Sequence, residues 1–387
     1  MFRTILLVFV GVLACLSGCI ERYYPEEEDL KTGTLVVVAH LDNGSGIQTI
    51  TLSRSVDLRN TSFNPVSGCF VQVTRSDGVE REFQEEEPGN YSAILDPPYL
   101  RTGDTYKLNI ITPDGKQYES EYEIMHPAPG IKSISFEVEE LAQADPLSNE
   151  KGIRFYIDFE IEKDSGRFMQ WKLVETYEIQ NPNYPTREYG TDRRWRDVPD
   201  TEKILNCWIT GNINTIYTLD LGGVEGEVYR HMPLHFVSAS SRRLYIRYSL
   251  LVRQLSLSED AFWYWNELKK NVQDKGGLFD TQPAITPSNI CNIDDGEELV
   301  IGYFSVSGCS EKRVFVEDVP DLELKLDADI CAPGYLPMFL HRYPQEDLPF
   351  YVATAAISGV TESGIVEKEC LDCRMYKGSS NIKPDFW

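Results

Sequence analysis

After residue 18 the sequence has no long apolar run, which excludes a polytopic membrane protein. Basic residues are scarce: 37 Lys and Arg stand against 61 Asp and Glu, for a formal charge of −24. A surface that acidic repels phosphate backbones and argues against nucleic acid as a partner. Histidine is limited to five residues. His231 and His235 flank Pro233, which forbids the helix that would put both on one face; on a strand they lie about 13 Å apart, too far to share a metal. Neither G-x-S-x-G, the S-x-x-K motif set, H-E-x-x-H, Walker A nor G-x-G-x-x-G is present. The sequence therefore assigns no catalytic residue, no metal ligands and no cofactor. The densest acidic stretch, Asn292 to Glu298, lacks the alternate oxygen spacing of a calcium loop and reads as a hairpin turn.

What is present begins at the N-terminus. Arg3 precedes a 12-residue apolar segment, Ile5 to Leu16, too short to span a bilayer of about 30 Å. Residues 1–18 read as an export signal. Its end, Leu16-Ser17-Gly18-Cys19, resembles the lipobox of bacterial lipoproteins, in which the cysteine is acylated and becomes the first residue. Cys19 is the expected lipidation site, and two or more acyl chains make such an anchor stable. Residues 19–31 form an acidic tether with Glu26, Glu27, Glu28 and Asp29. It resembles the signal that sends some Bacteroidota lipoproteins to the cell surface. The expected location is the outer membrane, lipid-anchored and facing outward.

Without Cys15 and Cys19 seven cysteines remain, an odd number, which in an oxidising compartment predicts three disulfides and one free thiol. The disulfide candidates are Cys207, Cys291, Cys309, Cys331, Cys370 and Cys373, with Cys69 left over. A hairpin around Leu299–Val306 would bring Cys291 and Cys309 together. Cys331, Cys370 and Cys373 lie late in the chain, where a staple would hold the C-terminal tail, and Cys207 would take whichever of the last pair remains. The Cys370-x-x-Cys373 spacing has no second pair for zinc and opens no helix, so a structural disulfide is the expectation.

From Thr34 to Met125 short alternating runs are separated by Asp-Gly and Pro-Gly turns, about seven strands in all. This predicts an Ig-like or transthyretin-like β-sandwich over residues 32–127. Pro127 to Gly130 breaks the pattern as a boundary. Residues 131–387 read as a larger β-rich domain with one amphipathic helix: Leu257, Ala261, Trp265, Leu268 and Val272 recur at helical spacing. Ser256 with Glu259 gives a capping box, and Gly276-Gly277 a stop. The fold class is mainly β. Tyr184, Tyr189 and Trp195, in an insert rich in Pro, Asn and Arg, are the candidate ligand-binding aromatics. Three classes of function stay open: a binding or accessory protein, an envelope hydrolase using carboxylates on glycan or peptide, and a structural or adhesive surface protein.

Several stretches together resemble a family of outer-membrane lipoproteins known as domain of unknown function 4249. They are Leu35–Val38 with Ile50–Ser53, Gly103–Leu108 and Pro113–Ser120. Further on come Gly276–Asp280, Pro283, Ser288–Ile290, Val300–Phe304, Cys370–Arg374 and Lys383–Trp387; Ser288 stands where many relatives have glycine. The family carries no agreed catalytic residue. What the resemblance implies is a TonB-dependent outer-membrane receptor as partner, with a role in nutrient capture or receptor assembly.

Overall fold

A computed structural model describes residues 33–44, 46–56, 62–95, 98–142, 149–161, 166–180, 185–199, 206–224, 227–272, 286–324, 340–342, 344–357, 360–366 and 370–387. The export signal, Cys19 and the tether lie outside these residues. Among them the chain is mainly β, in several sheets, with one α-helix.

The first eight strands are β1 (Leu35–Asp42), β2 (Ile47–Arg54), β3 (Phe70–Arg75), β4 (Glu80–Glu87), β5 (Asn90–Ile94), β6 (Thr105–Ile111), β7 (Gln117–Ser120) and β8 (Glu123–Ile124). Period-two patterning drives them: β1 buries Leu35, Val37, Ala39 and Leu41, and β6 buries Tyr106, Leu108 and Ile110. Strand β4 pairs with β3 on one side and β5 on the other. The sheet thus folds back on itself around a shared core.

The remaining strands are β9 (Ile131–Ala142), β10 (Asn149–Glu160), β11 (Phe168–Gln180), β12 (Pro185–Tyr189), β13 (Trp195–Asp197), β14 (Asn206–Asp220) and β15 (Val228–Ser238). After them come β16 (Tyr248–Leu257), helix α1 (Glu259–Val272), β17 (Ile290–Asn292), β18 (Val300–Val316), β19 (Phe350–Ile357), β20 (Val360–Val366) and β21 (Ser379–Ser380). A second sandwich packs β15-β10-β9 against the end of the large sheet, β18-β16-β11-β14-β21. Its core joins Phe155, Ile157 and Phe159 of β10 to Trp171 and Leu173 of β11 and to Leu250 and Val252 of β16. A separate four-stranded sheet runs β13-β12-β19-β20.

The first sandwich is not closed by residues 32–127, a correction to the expected division. Strand β17 pairs with β7, and the first half of β18 pairs in parallel with β1, from Leu35↔Val300 to Asp42↔Ser307. Ile290, Val300, Phe304 and Val306 enter its core. The reason is an edge: β2 covers only one side of β1, and the other would stay open without a strand from far along the chain. Beyond Ser307 the same strand turns to β16, pairing antiparallel from Gly308↔Ser256 to Val316↔Tyr248. At 17 residues, or about 56 Å at about 3.3 Å per residue, β18 completes both sandwiches.

The helix is present, but its cap is Ser258 rather than Ser256. Ser258 Oγ accepts from the Ala261 N–H at 3.1 Å, whereas Ser256 is a buried residue of β16. No helix among the described residues is long and apolar enough to cross a membrane.

Candidate functional site

The outer face of the large sheet, turned away from the second sandwich's core, gathers a set of charged side chains from four strands. Alternation places Asp42 and His40 of β1, Ser305, Ser307, Cys309 and Glu311 of β18, Arg253 of β16 and Lys172 of β11 on this face. Helix α1 covers one end, where Phe262 stacks on Phe168 at 4.7 Å and Tyr264 meets Tyr303 at 4.8 Å. The C-terminal tail crosses the other end: β21 pairs with β14, and Trp387 meets Phe315 at 5.7 Å. The charged cluster lies between them.

Arg253 holds two carboxylates at once, donating to Asp42 at 2.8 Å and to Glu311 at 2.7 Å. Asp42 Oδ1 also accepts the Gly44 N–H at 2.9 Å, and Asn43 Oδ1 accepts the Cys309 N–H at 2.7 Å. Lys172 stands directly across from Arg253 in register, with no carboxylate in ion-pair range among the described residues. Burial pulls its ammonium down to about 8, against the pull of Asp42. Burial likewise pushes the Cys309 thiol up to about 12, with Asp42 adding to it, and holds His40 well below the usual imidazole range. A thiol so raised is a poor nucleophile.

One pair has the chemistry of a nucleophile and base. His40 Nδ1 lies 2.7 Å from Ser305 Oγ. Yet the other ring nitrogen, Nε2, is buried without a partner, so no carboxylate orients the imidazole. The pair joins β1 to β18. Arg253 is thus paired with both Asp42 and Glu311, whereas the Lys172 ammonium beside it has no carboxylate of its own among the described residues. These residues escaped the sequence reading because they come from four strands far apart in the chain. The available signal was alternation of polar residues, as in Ser307, Cys309 and Glu311, inside what is one long strand.

The sequence candidates fall elsewhere. Tyr189 and Trp195 form the small core of the separate sheet: Tyr189 stacks on Phe350 at 5.2 Å, and Trp195 meets Phe350 edge-on at 5.7 Å. Tyr189 is buried and Trp195 half-buried under the Arg187 guanidinium, so neither presents a free aromatic platform. Tyr189 is paired in register with Trp195 of β13 and with Phe350 of β19, so the three rings lie side by side on one face of this sheet. Tyr184 lies outside the described residues. Cys207 and Cys373 form a disulfide, and Cys370 is disulfide-bonded too. Cys331 lies outside the described residues. Cys291 and Cys309 are free, as is Cys69, which corrects the expected Cys291–Cys309 pair. The expected hairpin does not form: β18 runs straight on, carrying Cys309 about 30 Å past Val300 at about 3.3 Å per residue. Cys291 stays on the edge strand opposite Glu119. No group of three metal-ligating side chains occurs among the described residues.

No curated protein matches the chain. Residues 20–313 match the family described as Domain of unknown function (DUF4249). The match starts just past Cys19 and ends within β18, so Cys370–Arg374 and Lys383–Trp387 lie beyond it. It takes in most of both sandwiches and well over half of the sequence, and on that extent the chain belongs to the DUF4249 family.

Proposed function

We propose that the chain is a lipid-anchored, surface-exposed accessory protein of the outer membrane. In this reading it works beside a TonB-dependent transporter in nutrient capture or receptor assembly, and acts by binding rather than by chemistry. The observation that carries the reading is β18, which completes both sandwiches and so joins them into one stiff body. Strand β1, its parallel partner, begins about 16 residues after Cys19, or at most about 55 Å of extended chain. A stiff body on a tether that short is confined to a thin shell over the membrane. Confinement raises its effective concentration toward a membrane partner to the order of mM. The pairing of Arg253 with two carboxylates and the unoriented His40 support a binding role over a hydrolytic one.

The test removes the anchor. Cys19→Ser should shift the protein from the detergent phase to the aqueous phase, and should lower recovery of a β-barrel in a mild-detergent pull-down by tenfold or more. A Cys19→Ser protein that still partitions with detergent ends the lipoprotein reading. Wild-type pull-downs that recover no barrel above an unrelated lipoprotein, with turnover of a glycan or peptide, would move the assignment to a hydrolase.

A further inference from the structure

The C-terminal residues rest on arginine side chains of the second sandwich. Arg242, Arg247 and Arg313 lie against the tail at the end of the second sandwich, in a protein with only 37 basic residues against 61 acidic ones. Two of these arginines carry the last two side chains. The Arg313 guanidinium lies 3.6 Å from the centre of the Phe386 ring. Arg247 is wedged between Phe315 at 4.4 Å and Trp387 at 5.1 Å. The Trp387 indole N–H donates to Glu178 at 3.3 Å. The socket is pre-shaped by its own contacts: Arg313 donates to Ser249 at 2.9 Å, and Arg247 pairs with Glu317 at 2.5 Å.

How the tail is held differs along its length. Upstream it is fixed by the Cys207–Cys373 disulfide, by Tyr376 against Arg242 and by β21 pairing with β14 at Trp208 and Ile209. Beyond β21 no strand pairing follows, and Ile382 is 76% exposed. The contacts of Phe386 and Trp387 are therefore separable from those that anchor the tail.

We infer that this arginine–aromatic socket is a peptide-recognition surface, that Phe386 and Trp387 are its resident occupants, and that its partner is a protein segment presenting two adjacent aromatic side chains. Guanidinium groups over ring faces select aromatic rings, and the Glu178 carboxylate selects an indole N–H at the second position. The resident tail competes at an effective concentration on the order of mM, because about a dozen residues link it to the disulfide. A partner displaces it by binding more tightly, and the disulfide keeps the displaced tail nearby.

A labelled synthetic peptide with the sequence of residues 382–387 is the probe, read by fluorescence anisotropy. It should bind saturably to the chain lacking Lys383–Trp387 and at least tenfold more weakly to the intact chain. Replacing both peptide aromatics with alanine, or adding Arg247→Gln and Arg313→Gln to the shortened chain, should weaken binding tenfold or more. A full-length Phe386→Ala, Trp387→Ala variant provides an empty socket with the tail length kept, should the shortened chain fail to fold. The inference is overturned if neither folded variant binds the peptide, or if the alanine peptide binds equally well. It is also overturned if the intact chain forms a dimer that removal of Lys383–Trp387 abolishes, since the socket would then serve self-association.

Discussion

Glu123 is a carboxyl with almost no solvent contact, held where the first sandwich, helix α1 and β18 meet. Ser258 Oγ donates to it at 2.6 Å and the Tyr303 hydroxyl at 2.6 Å, and Asn289 Nδ2 approaches at 3.3 Å. Burial raises its pKa above the usual range, and the charge of Asp260 adds to that, against the lowering effect of the hydroxyl donors. Because the folded-state pKa is the higher one, the stability linked to this proton is fully present below about pH 4 and is lost as pH rises through the raised value. Glu123→Gln keeps an acceptor for the hydroxyls and removes the charge. It should therefore raise the urea midpoint at neutral pH, with the gain vanishing on acidification below about pH 4. Glu123→Ala should instead lose about 1–3 kcal/mol, since it strands buried donors. A glutamine variant less stable than wild type at pH 7 would show that the ionised carboxylate is the preferred state.

At the scale of elements, β18 imposes the tightest demands. Gly308 sits where the strand passes from β1 to β16, and its N–H donates to His126 O at 2.9 Å as the Pro127–Gly130 linker crosses. A methyl there would lie 2.4 Å from His126 O and 2.7 Å from Ala128 N, both backbone atoms that cannot swing aside. Gly308→Ala should cost about 1–3 kcal/mol through overpacking, read as a lower denaturant midpoint. Gly302→Ala should cost more: its φ is +116°, and the added carbon would lie 1.8 Å from Val37 O. A Gly308→Ala midpoint equal to wild type would mean that the linker is free to move. Much of the strand pattern was legible, because alternation is local: the short runs between Thr34 and Met125 fall on strands such as β1, β2 and β3. The dual role of β18 was not. Its middle, Ser307-Gly308-Cys309-Ser310, has the composition of a turn, and only pairing partners some 50 and some 265 residues away hold it extended. The charged cluster was hidden for the same reason, since register alone brings Asp42, Lys172, Arg253 and Glu311 together.

For the whole molecule, the chain order and the spatial order disagree. The first sandwich opens with β1 and is finished only by β17 and β18, so most strands of the second sandwich are inserted between its parts. This fixes what a fragment can do. Residues 32–127 lack Ile290, Val300, Phe304 and Val306, four side chains in the shared core. Burying each contributes about 1.5–3 kcal/mol, so their loss removes about 6–12 kcal/mol. That range matches the whole net stability of a typical domain, about 5–15 kcal/mol. The fragment also leaves β1 with an open edge over its full length, an invitation to associate. Expressed alone, residues 32–127 should show no cooperative urea transition and should form soluble aggregates by light scattering. Adding a peptide of residues 288–308 should restore a transition, because it supplies β17, the four missing side chains and the parallel partner of β1. A fragment that unfolds cooperatively as a monomer without the peptide would show that the first sandwich is complete within residues 32–127 and that β18 only docks against it.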